Sequence, residues 1–396
     1  MLTPEQNDRL TRIGPGTPMG ALMRRYWHPI APVAELDDHP VKPIRLLGED
    51  LVLFLDTSGR LGLVDNRCAH RLVKLEYGYP VAEGLRCPYH GWTYDGKGAC
   101  VAQPAEPAGS TFKDKVRIKS YPVQELGGLV FAYLGPDPAP LVPRWEPLVM
   151  TGATKRVSYA KVPANWLQAM EMTPDQVHVQ SVHGQWGKYI LDNRLGDGDF
   201  AALERMMPVF RQRVIEDEVI PYKHGLLKRR VMEGGSRADE HWTVGQPMLL
   251  PNMHMTSFGG AMTLAWRVPD DDAHYTEWIF YCGETPWAGE APARHNKETV
   301  PYSVIQLKND QGVWNLASHY VQDYVIFEAQ TAHVDRSLER LRPHDAGVVA
   351  YRRLLLEQLD AFEAGNEPFN VFRDESENQC LELPVLGRRK TAKSAP

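Results

Sequence analysis

Cysteine is scarce in this chain, with five residues in 396. That is too few for the disulfide framework of a small secreted domain, so the cysteines that matter are read as metal ligands. Long apolar runs are missing too. None approaches the roughly 18 residues that span a bilayer, and residues 1–9 lack the apolar centre of a signal peptide. The expectation is a cytoplasmic protein with no membrane partner. Nor is there an excess of positive charge. Lys and Arg number 44 against 50 Asp and Glu, a net charge of −6, which gives no reason to expect nucleic-acid binding. The short run Arg388-Arg389-Lys390 reads as a solvated tail. A dinucleotide-binding G-x-G-x-x-G between strand and helix is also lacking. Any nicotinamide chemistry must therefore reach this chain through another protein.

What is present is an ordinary globular composition, 43% hydrophobic and 24% charged. The length suits two domains. Residues 3–26 read as a short helical entry with a break at Gly14-Pro15-Gly16. From Ile44 to Leu134 short β-rich runs alternate with turns, as in Leu51–Leu55 and Leu129–Tyr133, which predicts a small all-β domain. Prolines at 136, 138, 140, 143 and 147 then mark a boundary. The expected domains are 1–146, with a core at about 27–134, and 147–396. In the second, Met262–Val268 and Trp278–Cys282 read as strands. Asp323–Leu341 and Val349–Ala364 read as helices, the latter stopped by Gly365. The fold class is α+β.

Two constellations carry chemistry. In the first, Cys68-Ala69-His70 is followed after 16 residues by Cys87-Pro88-Tyr89-His90-Gly91-Trp92. Each pair offers one thiolate and one imidazole from a tight loop. Two thiolates on one iron and two imidazoles on the other make a [2Fe–2S] cluster that is easier to reduce than an all-cysteine one. Structural zinc is the rival reading, but zinc fingers group cysteines with cysteines and histidines with histidines. The mixed pairs point to the cluster.

In the second, Asn165–Gly184 holds Glu171, Asp175, His178 and His183 in the spacing E-x3-D-x2-H-x4-H. Thr173-Pro174 reads as a helix start, with Thr as N-cap and Pro at the first position. His183 lies about 140° from His178 round an ideal helix. The imidazoles converge only if the helix bulges or ends between them, and Gly184 is placed to end it. Two histidines and one carboxylate on one side of Fe(II) leave positions open for O₂ and substrate. Asp323, Glu328, Asp335 and Glu339 are candidates for the carboxylate.

The first motif resembles the Rieske domain. The two extra cysteines of respiratory-chain Rieske proteins are replaced here by Val73 and Tyr89, which favours the ferredoxin and oxygenase branch. Over nearly its whole length the chain resembles Rieske non-haem iron oxygenase alpha subunits of the phthalate-dioxygenase-like, alpha-only branch. The matching segments are Arg12–Gly20, Met23–Trp27 and Gln322–Gln330. Glu171 departs from relatives that carry Asn there.

The resemblance implies a helix-grip-like catalytic domain with an antiparallel sheet. It implies cluster ligands Cys68, His70, Cys87 and His90, and mononuclear iron ligands His178, His183 and Asp323. Asp175 would be an electron bridge from His90 of one subunit to His178 of its neighbour. A homotrimer or a multiple of three is expected. A separate reductase of flavin and ferredoxin type would bring electrons from NAD(P)H. The implied activity is O₂-dependent hydroxylation of an aromatic substrate, an aromatic carboxylate as first choice. O- or N-demethylation is the alternative, and a Rieske ferredoxin is the remote one, disfavoured by the 250 or so residues beyond the cluster domain. The other histidines, His319 and His295 among them, read as core or surface residues. Lys228-Arg229-Arg230 reads as an exposed basic turn in preference to a clamp for a substrate carboxylate.

Overall fold

The computed structural model describes residues 2–283 and 300–388; His295, Arg389 and Lys390 lie outside the described residues. Two helices open the chain, Pro4–Thr11 and Pro18–Met23. Each starts with a threonine N-cap followed by proline. The short strands then come in quick succession: β1 (Trp27–Pro32), β2 (Val41–Leu46), β3 (Glu49–Leu55), β4 (Leu61–Asp65), β5 (Tyr79–Val81), β6 (Gly84–Arg86), β7 (Thr93–Tyr94), β8 (Cys100–Ala102), β9 (Ser120–Tyr121), β10 (Val123–Leu126) and β11 (Leu129–Tyr133). They form three antiparallel sheets, ordered β1-β11-β10, β2-β3-β4-β9 and β5-β6-β7-β8. The strands of the last sheet are too short for ladder bonds alone to hold it. A small core of its own includes Val52, Phe54, Leu75, Leu85 and Tyr94, together with Cys68, Cys87 and Cys100.

The larger sheet has β12 (Thr154–Val162), β13 (Val214–Tyr222), β14 (Gly225–Met232), β15 (Gln246–Leu249), β16 (Met253–Phe258), β17 (Ala261–Asp271), β18 (His274–Gly283) and β19 (Tyr302–Val304). Its order is β13-β14-β15-β16-β17-β18-β12-β19. The pairs are antiparallel, save the parallel β12–β19 pair at one edge. Side chains alternate along β16 and the start of β17. Met253, Met255, Met262, Leu264 and Trp266 enter the main core, while His254, Thr256 and Thr263 on the opposite face are only half-buried. The core face meets the small domain, where Phe131 lies edge-on to Trp266 with ring centroids 6.1 Å apart. Backbone bonds from Leu47 to Pro269 and from Gly48 to Asp270 join the two regions. The α+β class with a small β unit and an antiparallel catalytic sheet is what the chain adopts.

Three local expectations need correction. Thr173 does not start a helix. It ends Trp166–Met172, which begins at Asn165 with a capping box to Gln168. The helix expected over Asp323–Leu341 runs instead over His319–Ala329. Thr331 takes a left-handed φ of 74°, and the Gln168 amide caps the end by donating to the carbonyls of Phe327 and Thr331. Lys228-Arg229-Arg230 is no exposed turn. It lies within β14, with Lys228 8% exposed.

Candidate metal centres

The first constellation sits on two matching loops. In one, Leu72 N–H donates to the Cys68 carbonyl and Cys68 N–H to Val73; in the other, Gly91 N–H donates to Cys87 and Cys87 N–H to Trp92. The residue four beyond each cysteine is left-handed, with φ 61° at Leu72 and 73° at Gly91. Both cysteines are 2% exposed and unpaired by disulfide. Burial pushes the Cys87 thiol up, and the neighbouring Cys68 adds to this. The imidazoles of His70 and His90 sit further out, 4.5 Å apart between ring centroids. His70 stacks on Trp92 at 4.6 Å with planes 8° apart. Two inner sulfurs and two outer nitrogens suit a [2Fe–2S] cluster with unlike ends, and each loop pairs a cysteine with a histidine where a zinc finger pairs like with like. Sequence reading missed Tyr94. Its hydroxyl lies 3.3 Å from Cys68 Sγ and accepts from Ala69 N–H at 3.0 Å. Its only signal was its place just past the His-Gly-Trp run.

The second constellation turns on a π-helix, Val179–Trp186. Its i→i+5 winding brings a residue five positions on back under the first, which an α-helix does not do. The bulge allowed for in the sequence is therefore what unites His178 and His183, with ring centroids 5.6 Å apart. Gly184 does not end the helix, which continues as Gly187–Asn193. Gly184 instead admits the neighbouring helix Phe200–Phe210, because a Cβ there would lie 2.7 Å from the Phe210 carbonyl oxygen. Asp175 caps the turn, its Oδ1 accepting from Val177 N–H at 2.8 Å and His178 N–H at 3.3 Å.

Each imidazole is oriented by an oxygen. His178 Nδ1 lies 2.6 Å from the Asp175 carbonyl, and His183 Nδ1 lies 3.0 Å from Gln322 Oε1. The Gln322 amide is fixed because its Nε2 donates to Leu316 O at 2.8 Å. Both oxygens can only accept, so each Nδ1 carries the proton and each Nε2 presents a lone pair. His183 Nε2 then faces Asp323 Oδ1 at 3.2 Å. Two lone pairs at that distance repel unless a proton or a metal ion lies between them. Burial lowers His178. Burial alone would lower His183 as well, but the bond to Asp323, its charge and the Gln322 contact together outweigh it and hold the ring above its ordinary value.

Ligand atoms of His178, His183 and Asp323 all lie within 4.8 Å of one another, a two-histidine, one-carboxylate set that fits a mononuclear iron. The rival carboxylates are elsewhere: Glu328 lies 3.8 Å from Lys308, Asp335 accepts from Ser337, and Glu339 pairs with Arg352. Glu171 also turns away from the site, accepting from Arg336 at 2.8 Å and Arg352 at 2.6 Å. Two residues went unrecognised in the sequence. Gln322 was seen only as part of the motif that ends in Asp323. His319, which the sequence reads as a core or surface histidine, sits four residues before Asp323 on the same helix face, with its ring 5.9 Å from His183.

A Rieske [2Fe–2S] domain family matches residues 26–122. Over 98% of its length the chain is 38% identical to 88% of the 5,5'-dehydrodivanillate O-demethylase oxygenase subunit of Sphingobium sp. (strain NBRC 103272 / SYK-6). The chain belongs to the Rieske oxygenase alpha subunits. As such it is the terminal oxygenase component of a multicomponent system, which carries a Rieske cluster and a mononuclear iron and receives electrons through a reductase. It is also 31% identical, over 92% of its length and 88% of the relative, to the phthalate 4,5-dioxygenase oxygenase subunit of Pseudomonas putida. Among solved structures, Pseudomonas putida CBB5 NdmA shares the fold, with a TM-score of 0.62 at 20% identity over 87% of this chain and 93% of that one. Among the described residues no helix is long and apolar enough to cross a membrane.

Proposed function

We propose that this oxygenase hydroxylates an aromatic carboxylate with O₂, and that it does so as a cytoplasmic homotrimer or multiple of three. Cys68, His70, Cys87 and His90 hold the cluster within residues 1–146; His178, His183 and Asp323 hold the iron within 147–396. The observation that carries the reading is the convergence of those three side chains with both Nδ1 protons already committed to oxygens. Bound there, the cluster passes one electron at a time and the iron supplies the centre at which O₂ is activated.

The chain's own residues set orientation and route. Asp175 is two-headed: its backbone carbonyl takes the His178 proton, and its carboxylate retains an oxygen for His90 of a neighbouring copy. What supports a neighbour is the rim around His70 and His90, where Leu72, Tyr89 and Phe112 are each at least half exposed. A flavin and ferredoxin type reductase brings electrons from NAD(P)H.

A second reading, O-demethylation with release of formaldehyde, is favoured by the greater identity to the dehydrodivanillate O-demethylase subunit than to the phthalate dioxygenase. One experiment separates them. Chemically reduced protein is given ¹⁸O₂ and a panel of benzoates, phthalates and methoxybenzoates, and a single turnover is read by mass spectrometry. Two labelled oxygens on a ring establish dihydroxylation. Formaldehyde with a free phenol establishes demethylation. No product from any member, with both iron sites full, ends the aromatic-acid reading.

A further inference from the structure

Strand register gathers an unexpected set of charges on one face of the large sheet. Leu226, Met248, His254, Ala265 and Ile279 are successive cross-strand partners and so share a side. By alternation, Lys228 and Arg230 on β14, Arg267 on β17 and Glu277 on β18 share it as well. This is the face whose His254, Thr256 and Thr263 are only half-buried. It adjoins the iron candidates at two points. Lys228 Nζ donates to the Thr173 carbonyl at 2.8 Å, and Arg230 reaches Gln176 Oε1 at 3.4 Å; these two residues flank Pro174-Asp175. Across the sheet, burial raises the Glu277 carboxyl and the nearby Asp323 carboxylate adds to this.

The charges do not balance. Arg267 is matched by Glu277 at 3.2 Å. Among the described residues neither Lys228 nor Arg230 makes an ion pair. Asp217 is the cross-strand partner of Arg230, yet no ion pair joins them, and Asp217 is pushed up by its own burial and by Asp175. Lys228 is buried, and burial, with Arg230 and Arg267 nearby, pulls its ammonium down to about 7. A cation held out of water without a counter-charge is costly. Two adjacent ones on a half-open face beside a reactive centre call for an anion from outside the protein. Arg229, the third residue of the run, points to the other face opposite Glu218.

We propose that Lys228 and Arg230 form the anchor for the carboxylate of the substrate, with Arg230 offering planar N–H donors and Lys228 a point charge. This rests on the aromatic-carboxylate reading above and names the side chains that would make it true.

The test uses iron-loaded, cluster-containing protein and isothermal titration calorimetry with benzoate and with its neutral methyl ester. Wild type is expected to bind benzoate more tightly than the ester. Lys228→Met and Arg230→Met are each expected to weaken benzoate by about 10- to 100-fold, the range for a charge-assisted hydrogen bond, while leaving the ester unchanged. Lys228→Arg, which keeps the charge, should retain the preference for the acid. It also guards against misfolding, as does retention of iron and of the cluster absorption in every variant. Equal binding of benzoate by wild type and both Met variants overturns the anchor alone. Competition by acetate or phosphate as strong as by benzoate marks a general anion site and likewise overturns it. A wild type that binds no aromatic acid at all overturns the substrate reading, and the anchor with it.

Discussion

The two metal regions solve the same problem by opposite means. The cluster region is local: the four proposed ligands come from two loops of like geometry, and the buried cysteines belong to the apolar core that holds the loops in place. The iron region is assembled from afar. Two histidines ride one π-turn, Asp323 comes from a helix later in the chain, and Gln322 joins the two. A local site shares its fate with its small core. A distributed one depends on its supports and leaves the fold standing when a ligand is lost. The sharpest way to break this comparison is to remove one ligand from each. Cys87→Ser is expected to abolish the cluster and to destabilise the small domain together, visible as loss of the visible absorption and an early melting step. His183→Ala is expected to lose iron and turnover with the cluster spectrum intact and the melting temperature little changed. Like behaviour of the two would remove the distinction.

Next in size comes the link between the regions. Asp175→Asn keeps the carbonyl that orients His178 and keeps a capping oxygen, so both metals should stay bound. Turnover with reductase should fall by about 100-fold or more if the carboxylate carries the inter-subunit bond. Metal analysis beside steady-state rates checks it, and normal turnover would remove the bridge.

The cluster side was legible because its chemistry is contiguous: C-x-H and C-x-x-H state both ligand type and loop. The iron side was legible only in its residues. His178 and His183 are wrongly spaced for an α-helix, and nothing in the local sequence announces the π-turn that brings them together, nor the close approach of Phe210 that needs a glycine at 184. Thr173 misled because Thr-Pro reads as a helix start, whereas Asn165 and Gln168 had already begun one upstream. Lys228 and Arg230 misled because a run of three cations looks solvated. Only strand register, a non-local property, separates the two that face inward from Arg229. Glu171 stood out as a departure from relatives, but its role needed Arg336 and Arg352, which lie far along the chain.

That ion-pair group supports the helix leading to the iron histidines and sets the next prediction. Burial alone would raise the Glu171 carboxyl, but the Arg336 and Arg352 guanidiniums outweigh it and hold it below the ordinary glutamate range. Glu171→Gln leaves both guanidiniums short of charge, a loss of about 3–5 kcal/mol for a broken buried pair. Because the folded-state value is depressed, the wild-type advantage is present above the unfolded value and is lost as pH falls through the folded one. Denaturant melts at neutral and acid pH should show the gap between wild type and variant narrowing on acidification. A gap independent of pH would mean the effect is one of packing. Smaller still is the support from Gln322. Gln322→Leu removes the acceptor for His183 Nδ1 and should weaken iron binding by about 10- to 100-fold, read by competition with a chelator, without touching the cluster spectrum.

The smallest effect tests the likeness of the two cluster loops. Leu72 and Gly91 occupy the same place in their loops with nearly the same left-handed φ, yet only Gly takes that conformation freely. At Gly91 an added Cβ would stand 3.0 Å from Pro104 Cγ, so Gly91→Ala combines strain with a tight contact and should cost about 1–2 kcal/mol. Leu72 is 65% exposed and buries little to offset its strain of about 1 kcal/mol. Leu72→Gly should therefore leave the melting temperature unchanged or raise it by a few degrees. A leucine kept at some cost to its own loop, on the rim beside His70, has its use outside that loop. If Leu72→Gly keeps stability, cluster and iron but lowers the content of the proposed trimer in sedimentation, the side chain belongs to the contact between copies. If assembly is unchanged while stability falls, the two loops are not equivalent, and Leu72 is packed where it appears only exposed.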